Sequence, residues 1–130
     1  MGSWKTPDDL KYTKSDEWIR VEGDTATIGL TDYAQDALND IVYIELPSVD
    51  DELKQGAVFG TVESVKAASD MKMPVGGTVI ETNSTVEDEP ELMNTDPFGA
   101  GWLVKIKIAN AAELDGLMDA KSYGEYCDER

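Results

Sequence analysis

From Tyr12 onward the apolar residues fall mainly into short runs that alternate with polar ones, the pattern of half-buried strands. Glu17-Trp18-Ile19-Arg20-Val21 and Thr25-Ala26-Thr27-Ile28-Gly29-Leu30 are two such runs. They are joined across Glu22-Gly23-Asp24, which predicts a hairpin because glycine takes the positive φ of a tight turn. Residues 31–38 then predict a short helix, with Thr31 as its N-cap and Ala34, Ala37 and Leu38 on one face. Ile41-Val42-Tyr43-Ile44-Glu45-Leu46 returns to strand and is stopped by Pro47.

Two further extended runs, residues 57–65 and 78–82, are each introduced by glycine, at Gly56 and at Gly76-Gly77, which implies tight turns or bulges. Between Asp88 and Gly101 a loop is expected. In it Pro90 suits the first turn of a brief helix through Met93, and Asp96-Pro97-Phe98-Gly99 forms a turn. Trp102-Leu103-Val104-Lys105-Ile106-Lys107-Ile108 is the clearest alternation: Trp102, Val104, Ile106 and Ile108 on one face, Leu103, Lys105 and Lys107 on the other. Asn110 can cap a C-terminal helix with Leu114, Leu117 and Met118 on its apolar stripe. Together these predict a mainly β, mostly antiparallel domain with short peripheral helices and a C-terminal helix.

Composition narrows the chemistry. The chain has 130 residues, 41% of them apolar, with 27 acidic against 11 basic side chains and a net charge of −16. A field this negative disfavours nucleic acid and anionic membrane surfaces and favours partners with basic or mixed faces. Without histidine there is no imidazole base and no histidine metal ligand, and the single cysteine, Cys127, cannot form an internal disulfide. Cys127 reads as part of an acidic tail, where carboxylates raise a thiol pKa. No apolar run approaches the ~18 residues of a membrane span, and Met1-Gly2-Ser3-Trp4-Lys5-Thr6-Pro7 lacks a signal peptide's apolar segment. A cytoplasmic protein is expected, or one of the mitochondrial matrix in a mature organellar form. Scattered carboxylates form a solvated face, Trp18 and Trp102 read as core or edge-of-core aromatics, and no catalytic or metal-ligating residue is assigned.

The distinctive segment is Val62-Glu63-Ser64-Val65-Lys66-Ala67-Ala68-Ser69-Asp70-Met71-Lys72-Met73-Pro74-Val75-Gly76-Gly77-Thr78-Val79, which puts a lysine among small residues at the end of a strand. This segment resembles the family of lipoyl-carrying H proteins of the glycine cleavage system. So do, in the same order, Tyr12-Thr13-Lys14, residues 17–24, residues 29–35, Asp40-Ile41-Val42, Glu45-Leu46-Pro47, Asn94, Asp96-Pro97 and Gly101-Trp102-Leu103.

The resemblance implies a barrel-sandwich hybrid, lipoyl/biotinyl-carrier-like, over residues 1–130, with an ordered core about 10–126. It implies that lipoate is joined by an amide to Lys66, with Glu63, Ser64, Val65, Ala67 and Asp70 as flanking recognition residues. The implied role is a carrier rather than an enzyme, and a monomer. It would shuttle the aminomethyl group of glycine from the decarboxylating glycine dehydrogenase to the aminomethyltransferase, with dihydrolipoyl dehydrogenase and a lipoate ligase or transferase as further partners. Acylation removes the ammonium charge, so a neutral arm can enter a partner's channel.

Met71-Lys72-Met73 is a decoy, since it spells the surroundings of a biotinylated lysine. In both carrier families the modified lysine lies eleven residues before a turn glycine; Lys66 is so placed before Gly77, whereas eleven residues after Lys72 comes Asn83. Met71 and Met73 are therefore expected on one strand face, with Lys72 in solvent. The chain departs from the family at Asp16, where histidine is common, at Asn39, where glycine is common, and across residues 71–77. These departures keep open another lipoyl route, such as lipoyl relay or sulfur oxidation, and an unmodified interaction module.

Overall fold

The computed structural model describes residues 4–130; the start read at Met1-Gly2-Ser3 lies outside the described residues. Among the described residues, nine strands form two antiparallel sheets. The first has the order β1 (Lys11–Tyr12), β2 (Glu17–Glu22), β3 (Thr25–Leu30), β9 (Val104–Ile108), β8 (Gly77–Thr82) and β5 (Glu52–Leu53). The second has the order β4 (Ile41–Glu45), β6 (Val58–Ser64) and β7 (Ala68–Lys72). Helix α1 (Asp32–Leu38) carries the chain from one sheet to the other, and α2 (Ser84–Asp88), α3 (Leu92–Thr95) and α4 (Ala120–Asp128) complete the chain. This is the mainly β sandwich expected, with short helices and a C-terminal helix, although neither sheet closes into a barrel.

Two elements follow directly from local chemistry. The β2–β3 hairpin pairs Glu22 with Thr25, and Gly23 takes φ +67° at its turn. Thr31 Oγ1 accepts the N–H of Ala34 and so caps α1. Between the sheets, Ile19, Ile28, Ile44, Val62, Met71, Val79 and Ile106 are at most 2% exposed. They form the main core. A second apolar cluster lies beneath α4, where the Tyr12 and Tyr123 rings stack at 4.6 Å beside Trp18 and Cys127.

Four readings need correction. Helix α3 begins at Leu92, after Pro90, whose carbonyl accepts the N–H of Met93, and an unexpected helix, α2, precedes it. Strand β9 begins only at Val104: Leu103 turns inward and is fully buried, its N–H bonded to the Ile28 carbonyl, while Trp102 takes the outer side under the ammonium of Lys105 at 5.0 Å. Asn110 caps a 3-10 turn over 111–116, whereas the C-terminal helix is α4, capped by Asp119. Cys127 is no tail residue; it is buried on α4, and burial, more than the nearby Asp16 carboxylate, pushes its thiol pKa up.

The glycines divide as well. Gly56 takes φ +82° in a turn, but Gly77 is needed for close approach, because a Cβ there would run into the Lys107 carbonyl of the adjacent strand.

Candidate functional site

Strands β6 and β7 pair antiparallel, Glu63 opposite Ala68, Val62 opposite Ser69 and Thr61 opposite Asp70. The three residues between the strands, Val65, Lys66 and Ala67, form the exposed tip of a hairpin. Ser64 closes it. Its N–H donates to the Ala67 carbonyl at 2.7 Å, and its hydroxyl oxygen accepts the N–H groups of Lys66 and Ala67 at 3.3 and 3.1 Å. Such a hydroxyl-to-backbone turn is a local property of serine. The Val65 N–H donates outward, to the Asp40 carbonyl at 3.0 Å, which fastens the tip to the loop before β4.

Register and the two-residue period place Glu63, Thr61, Asp70 and Ala68 on the outward face of the second sheet, beside Tyr43 and Glu45 of β4. Glu63 and Asp70 are exposed there, on the two strands that carry the lysine, and Val65 is 66% exposed. Among the described residues the Lys66 ammonium has no ion pair or hydrogen bond, and Ala67 and Ala68 leave its surroundings open. An unencumbered primary amine on a projecting tip is chemically suited to acylation, so the residues present fit an amide-linked lipoyl group.

Lys72 is differently placed. It ends β7, its side chain is exposed, and its backbone N–H donates to Glu17 Oε2 at 3.1 Å; Met71 and Met73 face inward, as expected. A lysine at the pinned end of a strand lacks the projection of Lys66.

Glu17 escaped the sequence reading except as the first residue of a strand. It is fully buried, and its Oε1 accepts the hydroxyls of Thr13 and Ser15, each at 2.6 Å. Burial pushes its carboxyl above the ordinary glutamate range, the bonds from Ser15, Thr13 and the Lys72 N–H oppose that shift, and the Asp16 charge adds to it. Ser15 and Asp16 also line a hollow of about 140 Å³ between α1 and β7, with Asp70 and Met71 on its other wall. Asp16 is itself held by Arg130, whose guanidinium donates to both carboxylate oxygens at 2.6 and 3.0 Å.

Known proteins are similar to this chain along nearly its whole length. A family model described as glycine cleavage H-protein matches residues 10–130. The glycine cleavage system H protein of Bacteroides fragilis is 54% identical over 90% of this chain and 93% of its own length. That of Halothermothrix orenii is 53% identical over 95% and 96%. A crystal structure of a glycine cleavage system H protein from Mycobacterium marinum superposes with a TM-score of 0.86 at 35% identity, covering 92% of this chain and 97% of that one.

Proposed function

The chain belongs to the glycine cleavage H-protein family, and from that premise we propose that it acts as the lipoyl carrier of the glycine cleavage system, with lipoate held in amide linkage on Lys66. The observation that carries the reading is the position of Lys66: the tip of the β6–β7 hairpin, exposed and unpaired among the described residues, within Glu63-Ser64-Val65-Lys66-Ala67. When attached, lipoate supplies the disulfide that takes up the aminomethyl group of glycine and the dithiol that is later reoxidised.

The protein's own groups present that arm. Ser64 closes the tip, the Asp40 carbonyl fastens Val65, and the small side chains of Ala67 and Ala68 let the wall of a partner's channel approach. Glu63 and Asp70 face outward on the two flanking strands and serve as recognition acids for the lipoate ligase or transferase and for the partner enzymes. Those partners are the decarboxylating glycine dehydrogenase, the aminomethyltransferase and dihydrolipoyl dehydrogenase. The charge of −16 favours transient docking on basic faces, where electrostatics chiefly raises the encounter rate. The chain contributes no catalytic group in this scheme, works as a single-domain monomer and resides in the cytoplasm. The shared description of those relatives favours glycine cleavage over lipoyl relay, sulfur oxidation or an unmodified module.

Isotope exchange tests the role. With decarboxylating glycine dehydrogenase, the lipoylated protein is expected to support transfer of label from bicarbonate into the glycine carboxyl, whereas the Lys66→Arg protein is inert. Equal exchange by both proteins would overturn the proposal.

A further inference from the structure

Asn94 is far in sequence from the lysine hairpin, yet its side chain holds the loop on which the hairpin rests. Its Oδ1 accepts the backbone N–H of Ile41 at 3.0 Å. Its Nδ2 donates to the Asn39 carbonyl at 2.7 Å and to Gln35 Oε1 at 3.0 Å. Asp40 lies between the two gripped residues, and its carbonyl accepts the Val65 N–H. Val65 immediately precedes Lys66.

The loop does not hold this shape by local preference. Asn39 has φ +69° and ψ −143°, a conformation that suits glycine and strains any residue with a Cβ. Such a residue persists only where its surroundings over-determine it, and Asn94 supplies bonds on both sides of Asp40. At the tip, the remaining hydrogen bonds are local to Ser64 and Ala67, and the side chains of Val65, Lys66 and Ala67 are exposed. Among the described residues, the Val65 N–H bond is thus what ties the tip to the rest of the domain.

We propose that Asn94 is a positioning residue for Lys66: by fixing residues 39–41 it presents the Asp40 carbonyl to Val65 and keeps the hairpin tip in the conformation that an acylating enzyme takes up. The inference rests on the reading of Lys66 as the modified lysine. If the grip is released, the tip samples other conformations, and the enzyme's apparent affinity for the carrier falls by the fraction of molecules left competent. The rate after capture is unaffected. Simple loss of folded protein would raise apparent KM in the same way, so KM is referred to the concentration of folded carrier, and general unfolding is told apart by faster amide exchange throughout the core rather than at Val65.

The test is lipoylation of the full, unmodified chain by a lipoate ligase, with the carrier concentration varied to separate kcat from KM, and amide exchange of Val65 followed by NMR. Asn94→Ala is expected to raise KM about three- to tenfold with kcat within about twofold, and to speed Val65 exchange. Asn94→Asp keeps the volume and the acceptor for Ile41 but loses the donor to Asn39, and is expected to move both readouts in the same direction. It serves if the alanine variant does not fold. Acylation at Lys66 with KM and Val65 exchange unchanged in a folded variant overturns the positioning role. Failure of the unsubstituted protein to be acylated at Lys66 overturns the underlying reading instead.

Discussion

The buried carboxylate of Glu17 accepts the backbone N–H of Lys72 at 3.1 Å, and so joins the first sheet to the strand that returns from the lysine hairpin. Among the described residues no cation pairs with it: its side-chain partners are two hydroxyls and a peptide N–H, and the Asp16 charge beside it is of like sign. Because its pKa is raised, the folded state holds this proton over a pH range in which the unfolded chain has already lost it. The stability linked to Glu17 is therefore complete below the ordinary glutamate pKa and is lost as pH rises through the raised one. Urea unfolding of the wild type and Glu17→Gln across this range should show the wild type losing ground to the variant as pH rises. A difference that stays flat, or moves the other way, would contradict the assignment.

Asn39 offers a stabilising substitution. Its backbone lies in a region natural to glycine, which costs a residue with a side chain about 1–3 kcal/mol. Asn39→Gly relieves that strain and adds about 0.4–1 kcal/mol of unfolded-state entropy. The net expectation is about 1 kcal/mol of added stability by chemical denaturation, since the Asn94 bond is to the Asn39 carbonyl and survives the change. A destabilised variant would show that the Asn39 side chain has a role beyond its backbone.

Arg130 fixes the opposite wall of the hollow beside β7. Its guanidinium forks onto Asp16 and lies over the rings of Tyr33 and Tyr126 at 4.0 and 4.6 Å. The Asp16 side chain is only 14% exposed, so Arg130→Ala leaves a mostly buried carboxylate with the Tyr123 hydroxyl as its remaining side-chain partner. A loss of about 1–2 kcal/mol is expected. Arg130→Lys should recover little of it, because an ammonium cannot fork across a carboxylate. Full recovery by lysine would reduce the contact to simple charge.

Gly60 lies where the β6–β7 register shifts, and a Cβ on it would collide with the backbone carbonyl of Glu45. Since the obstacle is backbone, β4 and β6 would have to part. Gly60→Ala is expected to cost about 2 kcal/mol or more in a melting or urea experiment. A near-neutral variant would mean that these strands tolerate a wider spacing.

What the sequence disclosed was what neighbouring residues decide among themselves. The Gly23 turn and the Thr31 cap depend on bonds spanning only a few residues and were readable, whereas the tip around Lys66 is closed locally by Ser64 but fastened by the Asp40 carbonyl, distant in sequence. Leu103 was misread because alternation was extended two residues beyond the strand, and nothing local shows that the Leu103 N–H bonds to Ile28 rather than continuing β9. Tyr123 and Cys127 do recur at the spacing of one helical face, but surrounding charge drew attention to the solvated side of α4. The contacts of Asn94 and the bond from Lys72 to Glu17 could not have been assigned, since those groups lie 53 to 59 and 55 residues away. A side chain gives no local sign of a partner that only the fold brings near.

The central claim concerns one amine, and peptide mass mapping reads it directly. After incubation of the full chain with lipoate ligase and lipoate, the lipoyl mass should appear on the peptide spanning Lys66, where trypsin no longer cuts, with Lys72 free. Modification at Lys72 instead, or a free Lys66 while a control H protein is acylated alongside it, would contradict the account.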